Sequence, residues 1–104
     1  MRGDVYRLSA PRDARGHEQR GARYAVVVQS DTLALSTLLV APTTTKSFPA
    51  SFHPRLDMNG TRVTVLIEQT TAVDPTRLGE FAGRLDAAEL DAVDEALRLV
   101  LGLD

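Results

Sequence analysis

Cysteine is absent from this 104-residue chain. That excludes disulfides, thiolate metal sites and a cysteine nucleophile. Histidine is scarce. His17 and His53 are the only two, too few for a standard zinc site. No apolar run approaches the roughly 20 residues of a membrane-spanning helix. The opening Met1-Arg2-Gly3-Asp4 has no apolar signal region, so the expected compartment is the cytosol. Repeats and low-complexity tracts are missing too. The length suits one domain over residues 1–104, with a single small core and no room for a large cofactor fold. No cofactor and no metal is expected.

The net charge of −2 leaves no generally basic coat. The charges are unevenly spread, however. Residues 1–62 carry nine Lys and Arg against five Asp and Glu, while residues 63–104 carry three against nine. An electropositive front joined to an acidic rear is compatible with local phosphate binding, and equally with an unevenly charged solvated surface.

The front has one unusual segment. Between apolar stretches at 4–8 and 24–29 lies a long polar, glycine-punctuated connection. It carries Arg12, Arg15, His17, Glu18, Gln19, Arg20 and Arg23. A hairpin needs only two to five residues to turn, so so long a loop is a candidate functional segment. Its cations point to an anionic partner, and Arg23 touches the start of a rigid strand.

Local patterns outline the rest. Residues 3–8 and 24–29 read as strands, the second β-branched and buried on both faces. Residues 38–41 read as another strand ended by Pro42, followed by the polar run Thr43-Thr44-Thr45-Lys46. Residues 51–56, flanked by Pro49 and containing Pro54, suit an edge strand. Asn59-Gly60 signals a turn. Residues 62–68 read as a strand with Val63, Val65 and Ile67 on one face. Asp74-Pro75 starts a short turn or helix, and residues 81–85 read as a last short strand. From Asp86 the period becomes helical. Asp86 and Glu89 have capping-box spacing, and Leu90, Val93, Leu97, Val100 and Leu101 form one stripe. Asp94 and Arg98 are spaced for an ion pair, and Gly102 is the natural stop. The fold class is therefore α+β: a small, strongly twisted, mostly antiparallel and barrel-like sheet with a C-terminal helix.

Several of these segments, in order, resemble one family. Arg2-Gly3-Asp4-Val5-Tyr6 is similar to the opening of the MazF/PemK-type toxin endoribonucleases. Gly16-His17-Glu18-Gln19-Arg20-Gly21-Ala22-Arg23 resembles their loop, with Tyr24 standing where the family usually has proline. Val40-Ala41-Pro42-Thr43-Thr44, Leu66-Ile67-Glu68-Gln69, Gly83-Arg84-Leu85 and the closing helix also fit.

The resemblance implies an SH3-like barrel of the MazF/CcdB kind. It also implies a toxin of a type II toxin–antitoxin pair that cleaves single-stranded RNA (messenger, ribosomal or transfer) without a metal, leaving a 2′,3′-cyclic phosphate and a 5′-hydroxyl. The catalytic residues it implies are Arg23 and Thr44. The RNA contacts it implies are Arg15, His17, Glu18, Gln19, Arg20, Lys46, Glu68 and Gln69. The partners it implies are RNA, an antitoxin with an acidic disordered tail, and a second copy of the chain, with no membrane. Strand alternation puts Thr43 and Thr45 on one face and Thr44 on the other, and the family register selects Thr44. Two alternatives stand beside this reading: a CcdB-like gyrase poison without enzymatic activity, and an inactive antitoxin-binding relic. His53, in an apolar-flanked edge segment, reads as structural.

Overall fold

The computed structural model describes residues 1–8 and 23–104. Arg12, Arg15, His17, Glu18, Gln19 and Arg20 lie outside the described residues. Seven strands and one helix follow one another: β1 (Asp4–Leu8), β2 (Arg23–Val27), β3 (Leu38–Thr44), β4 (Arg55–Met58), β5 (Thr61–Val65), β6 (Thr71–Val73), β7 (Leu78–Arg84) and α1 (Ala87–Leu101). Every pairing is antiparallel. The order is β4-β5-β3-β2-β1-β7, with β6 beside the first half of β3.

This curled sheet has two apolar faces. One packs on α1, where Val5, Val26, Ala41, Leu56, Val63, Val65 and Ile67 meet Val93 and Ala96. The other gathers Leu8, Ala25, Val27, Val40 and Val73. The β-branched run of β2 therefore feeds both clusters, as a strand buried on both faces should.

Short-range chemistry sets several boundaries. Asn59 (φ 53°) and Gly60 (φ 85°) make the two-residue turn that joins β4 to β5 and pairs Met58 with Thr61. Asp74 caps a 3₁₀ turn at Pro75–Arg77, its side chain accepting from the Thr76 amide at 2.9 Å. At α1 the capping box is complete. Asp86 Oδ1 accepts from the Glu89 amide at 2.8 Å, and Glu89 Oε1 accepts from the Asp86 amide at 2.9 Å. Gly102 closes the helix in the left-handed region at φ 68°.

The structure departs from the sequence reading at several places, and the edge strand read over 51–56 is β4, Arg55–Met58. First, β3 runs through Pro42 to Thr44. Pro42 sits where the outer edge of β3 changes partner, from β6 (Leu38–Val40) to β5 (Thr43–Thr44), so its missing N–H breaks no ladder bond. Second, β5 ends at Val65, and Ile67–Gln69 is a 3₁₀ turn; Ile67 is buried by that turn, not by strand alternation. Third, Thr71–Val73 forms a strand that three residues cannot announce by periodicity. Fourth, β7 begins at Leu78, earlier than position 81. Fifth, Arg98 pairs with Glu95 at 3.1 Å, because Asp94 is taken by Arg2 from the N-terminus. The helix stripe also divides: Val93 is buried, while Val100 and Leu101 are 38% and 63% exposed.

A buried acid ties the sheet together at its N-terminal end. Asp4 is 4% exposed and accepts from Arg84 Nε at 2.8 Å and from the Met1 amino group at 3.1 Å. Burial pushes its pKa up, but these two cations more than reverse this and hold it below the ordinary value.

Candidate active site

The site begins with the register of β2 on β3. Val27 faces Val40, Val26 faces Ala41 and Ala25 faces Pro42. The ladder ends at Ala25 and Pro42; Tyr24 and Thr43, then Arg23 and Thr44, are the next residues outward on the two strands. A side-chain bond pins the strands at that level: Thr43 Oγ1 donates to the Tyr24 carbonyl at 2.9 Å. Alternation assigns the faces. Val26 and Ala41 point to the helix side, so Tyr24 and Thr43 follow them. Ala25, Val27 and Val40 point to the other cluster, so Arg23 and Thr44 share that second face.

The two residues differ in environment. Thr44 is 3% exposed, and its hydroxyl accepts from the Lys46 amide at 3.2 Å. That bond turns the chain just past β3 and leaves Lys46 exposed at the rim. Arg23 is half-buried, and burial lowers its pKa. Among the described residues no carboxylate pairs with it. A guanidinium held in a partly dry place without a counter-ion is a ready receptor for an anion. It stays protonated at ordinary pH.

The turn Ile67–Gln69 flanks the same region. The Leu66 amide donates to the Pro42 carbonyl at 2.9 Å, which docks the turn on β3 two residues from Thr44. Glu68 and Gln69 are both exposed there. Glu68 already has a partner: His53 Nε2 lies 2.8 Å from its Oε1. The other ring nitrogen of His53, Nδ1, lies 2.6 Å from the Phe48 carbonyl. Both neighbours are acceptors, so the surroundings favour the imidazolium, which donates from both ring nitrogens. Burial alone would lower the His53 pKa. The Phe48 carbonyl and the Glu68 carboxylate, by hydrogen bond and by charge, raise it above the ordinary value.

A pH dependence follows. A raised folded-state pKa adds stability that is complete below the unfolded value of about 6.5 and is lost as pH rises through the folded value. Thermal melts of the protein and of His53→Gln should therefore diverge below neutrality and converge at alkaline pH. A difference that does not change with pH would show that His53 is neutral in the folded chain.

Thus the structure brings Arg23, Thr44, Lys46, Glu68 and Gln69 to one end of β3. Reading the sequence passed over two neighbours in the same cross-strand row, Thr64 and Arg55. Thr44 faces Thr64, and Thr64 faces Arg55. The Asn59-Gly60 signal contained this information, because a two-residue turn fixes the register of the whole hairpin. No group of three or more His, Asp or Glu among the described residues is placed to hold a metal ion.

Chemically, a fixed cation beside a positioned hydroxyl suits a reaction that builds negative charge on a phosphate. Comparison with known proteins names the family. Residues 1–101 match the family described as PemK-like, MazF-like toxin of type II toxin-antitoxin system. The chain belongs to this family. It is 38% identical over 104 residues to the Mycobacterium tuberculosis (strain H37Rv) protein named "Putative toxin Rv3098A", covering 99% of this chain and 98% of that one. It is 32% identical over 110 residues to the endoribonuclease EndoA of Bacillus subtilis (strain 168), covering 98% and 94%. The crystal structure of MazE-MazF from Deinococcus radiodurans superposes with a TM-score of 0.79 at 25% identity, covering 99% of this chain and 96% of that one. Membership of this toxin family disfavours the gyrase-poison alternative, and the antiparallel half-barrel with its C-terminal helix is the fold of MazF structures.

Proposed function

We propose that this chain is a metal-independent endoribonuclease that cleaves single-stranded RNA in a sequence-specific way. It acts as the growth-inhibiting toxin of a type II pair, in the cytoplasm. The observation that carries the proposal is the half-buried Arg23, without an ion pair among the described residues, on the same face of the sheet as the buried Thr44.

RNA brings its own nucleophile. The 2′-oxygen attacks the adjacent phosphorus, the new O2′–P bond forms and the P–O5′ bond breaks. The proton lost by the 2′-hydroxyl is balanced by the one gained at the 5′-oxygen, so no water and no co-reactant are consumed. The protein aligns the strand and stabilises the charge that gathers on the phosphate. Arg23 supplies the cation and, in the acid role, hydrogen-bond donation towards the leaving oxygen. Thr44 supplies a hydroxyl whose position the Lys46 turn restricts. Lys46, Glu68 and Gln69 border the strand, and the loop residues Arg15, His17, Glu18, Gln19 and Arg20 add contacts to backbone and bases. Unpaired, splayed bases are what sequence-specific RNA readers favour.

The relative named endoribonuclease supports the activity, and the MazE-MazF crystal structure supports an antitoxin partner. An acidic, disordered antitoxin tail would be drawn to the same cations and would compete with RNA by occupancy. A homodimer fits a chain whose core is small and whose helix leaves Leu99 56% and Leu101 63% exposed.

The decisive assay uses two substrates in EDTA: an oligoribonucleotide that the protein cuts, and the same strand with hydrogen replacing the 2′-hydroxyl at the cut site. The expected result is cleavage of the first, with the cyclic phosphate and 5′-hydroxyl ends, and none of the second. Cleavage of the deoxy-substituted strand would overturn the mechanism.

A further inference from the structure

From Thr44 a cross-strand row continues onto the β4–β5 hairpin. Thr44 on β3 faces Thr64 on β5, and Thr64 faces Arg55 on the edge strand β4. Residues directly opposite in an antiparallel ladder present side chains to one face. Thr44, Thr64 and Arg55 therefore form a single line across three strands, and Arg23, at the start of β2, lies on the same face beyond its Thr44 end. At ordinary inter-strand spacing Arg55 lies about 10 Å from Thr44 along the sheet. The two cations flank two threonines that are 3% and 2% exposed.

Arg55 is exposed, and among the described residues it has neither an ion pair nor a side-chain hydrogen bond. Asp57, on the same face of β4, lies one row away, where it is opposite Arg62. Hydrophobic alternation in β4 does not require a cation at Arg55. Leu56 and Met58 supply the core side, and the outward position is open to any polar residue.

We propose that Arg55 is a second phosphate subsite. It holds the RNA backbone at a nucleotide remote from the one being cut, and so positions the strand between two guanidinium anchors. This rests on the reading of Arg23 and Thr44 as the cutting site. The chemistry is that of a phosphodiester backbone: a forked cation for the phosphate oxygens, with no readout of bases. Arg55 is thus a positioning residue whose effect depends on strand length.

The test uses an oligoribonucleotide made uncleavable by a 2′-deoxy substitution at the cut site, and versions shortened from each end in turn. Arg55→Ala should weaken binding of the full strand by about tenfold and lower the salt slope by about 0.7, the value for one phosphate contact on a single strand. The defect should shrink on the version shortened past the subsite, and Arg55→Lys should recover part of the affinity. In cleavage, KM should rise more than kcat falls. Arg98→Ala, which removes the same charge from the helix, should leave binding and slope unchanged. Binding by Arg55→Ala equal to the unaltered protein, or a defect of the same size at every strand length, would overturn the subsite. Failure of the unaltered protein to cut RNA, with the Arg55 dependence intact, would instead overturn the cleavage reading.

Discussion

Arg23→Ala is expected to lower RNA cleavage by about 10²–10³-fold, the usual loss when one preorganised charge stabiliser is removed. Among the described residues the Arg23 side chain has no other task. It makes no ion pair among the described residues, and its burial is a cost, since a partly desolvated guanidinium without a counter-ion is less stable than one in water. The melting temperature of Arg23→Ala should therefore stay level or rise while activity collapses. Arg23→Lys tests the geometry. Lysine keeps the charge but loses the fork that can contact two phosphate oxygens together, so it should recover only a small part of the rate. Single-turnover cleavage and thermal melts on the same preparations separate the two effects. Loss of activity in step with loss of folded protein would reduce Arg23 to a structural residue.

Features with local physical causes were legible from sequence. The Asn59-Gly60 turn, the Asp74-Pro75 cap, the capping box of Asp86 and Glu89 and the stop at Gly102 each need only neighbouring residues, and each occurs where the sequence placed it. Features with distant causes were not. Pro42 reads as a strand end until one sees β3 exchange β6 for β5 on its outer edge. Thr71–Val73 is a strand only because Leu38–Val40 lies beside it. Asp94 and Arg98 have helical ion-pair spacing, yet Arg2, far away in sequence, claims the acid.

The site shows the same division. Arg23 and Thr44 were each visible through the family resemblance, and their adjacency depends on a register that only the folded sheet supplies. Glu68 was visible as a polar residue near the end of a strand. Its engagement with His53 was not, because the imidazole arrives from the segment between β3 and β4. Thr64 and Arg55 looked like ordinary outward residues of a hairpin. Their row becomes meaningful only when β5 is laid on β3.

The three consecutive threonines give the sharpest contrast in expected behaviour. Thr44→Ala should reduce cleavage by about 10²-fold or more, at a stability cost of about 1 kcal/mol for the lost bond from the Lys46 amide. Thr43→Ala should do the reverse. Its hydroxyl is committed to the Tyr24 carbonyl at 2.9 Å, on the helix side of the sheet. Removing it leaves a buried acceptor short of its partner, which costs about 1–3 kcal/mol, while the face shared by Arg23 and Thr44 is untouched. Cleavage by Thr43→Ala, measured well below its melting temperature, should remain within about tenfold of the unaltered protein, since nothing that stabilises the transition state has been removed. Thr44→Ser keeps the hydroxyl and the turn, so it should recover most of the rate that Thr44→Ala loses. Thr45 lies past the end of β3 and is exposed, and its alanine variant should be close to neutral in both assays. An active Thr44→Ala beside a dead Thr43→Ala would mean that the chemistry lies on the helix side of the sheet, and the face that Arg23 shares with Thr44 would then have no catalytic meaning.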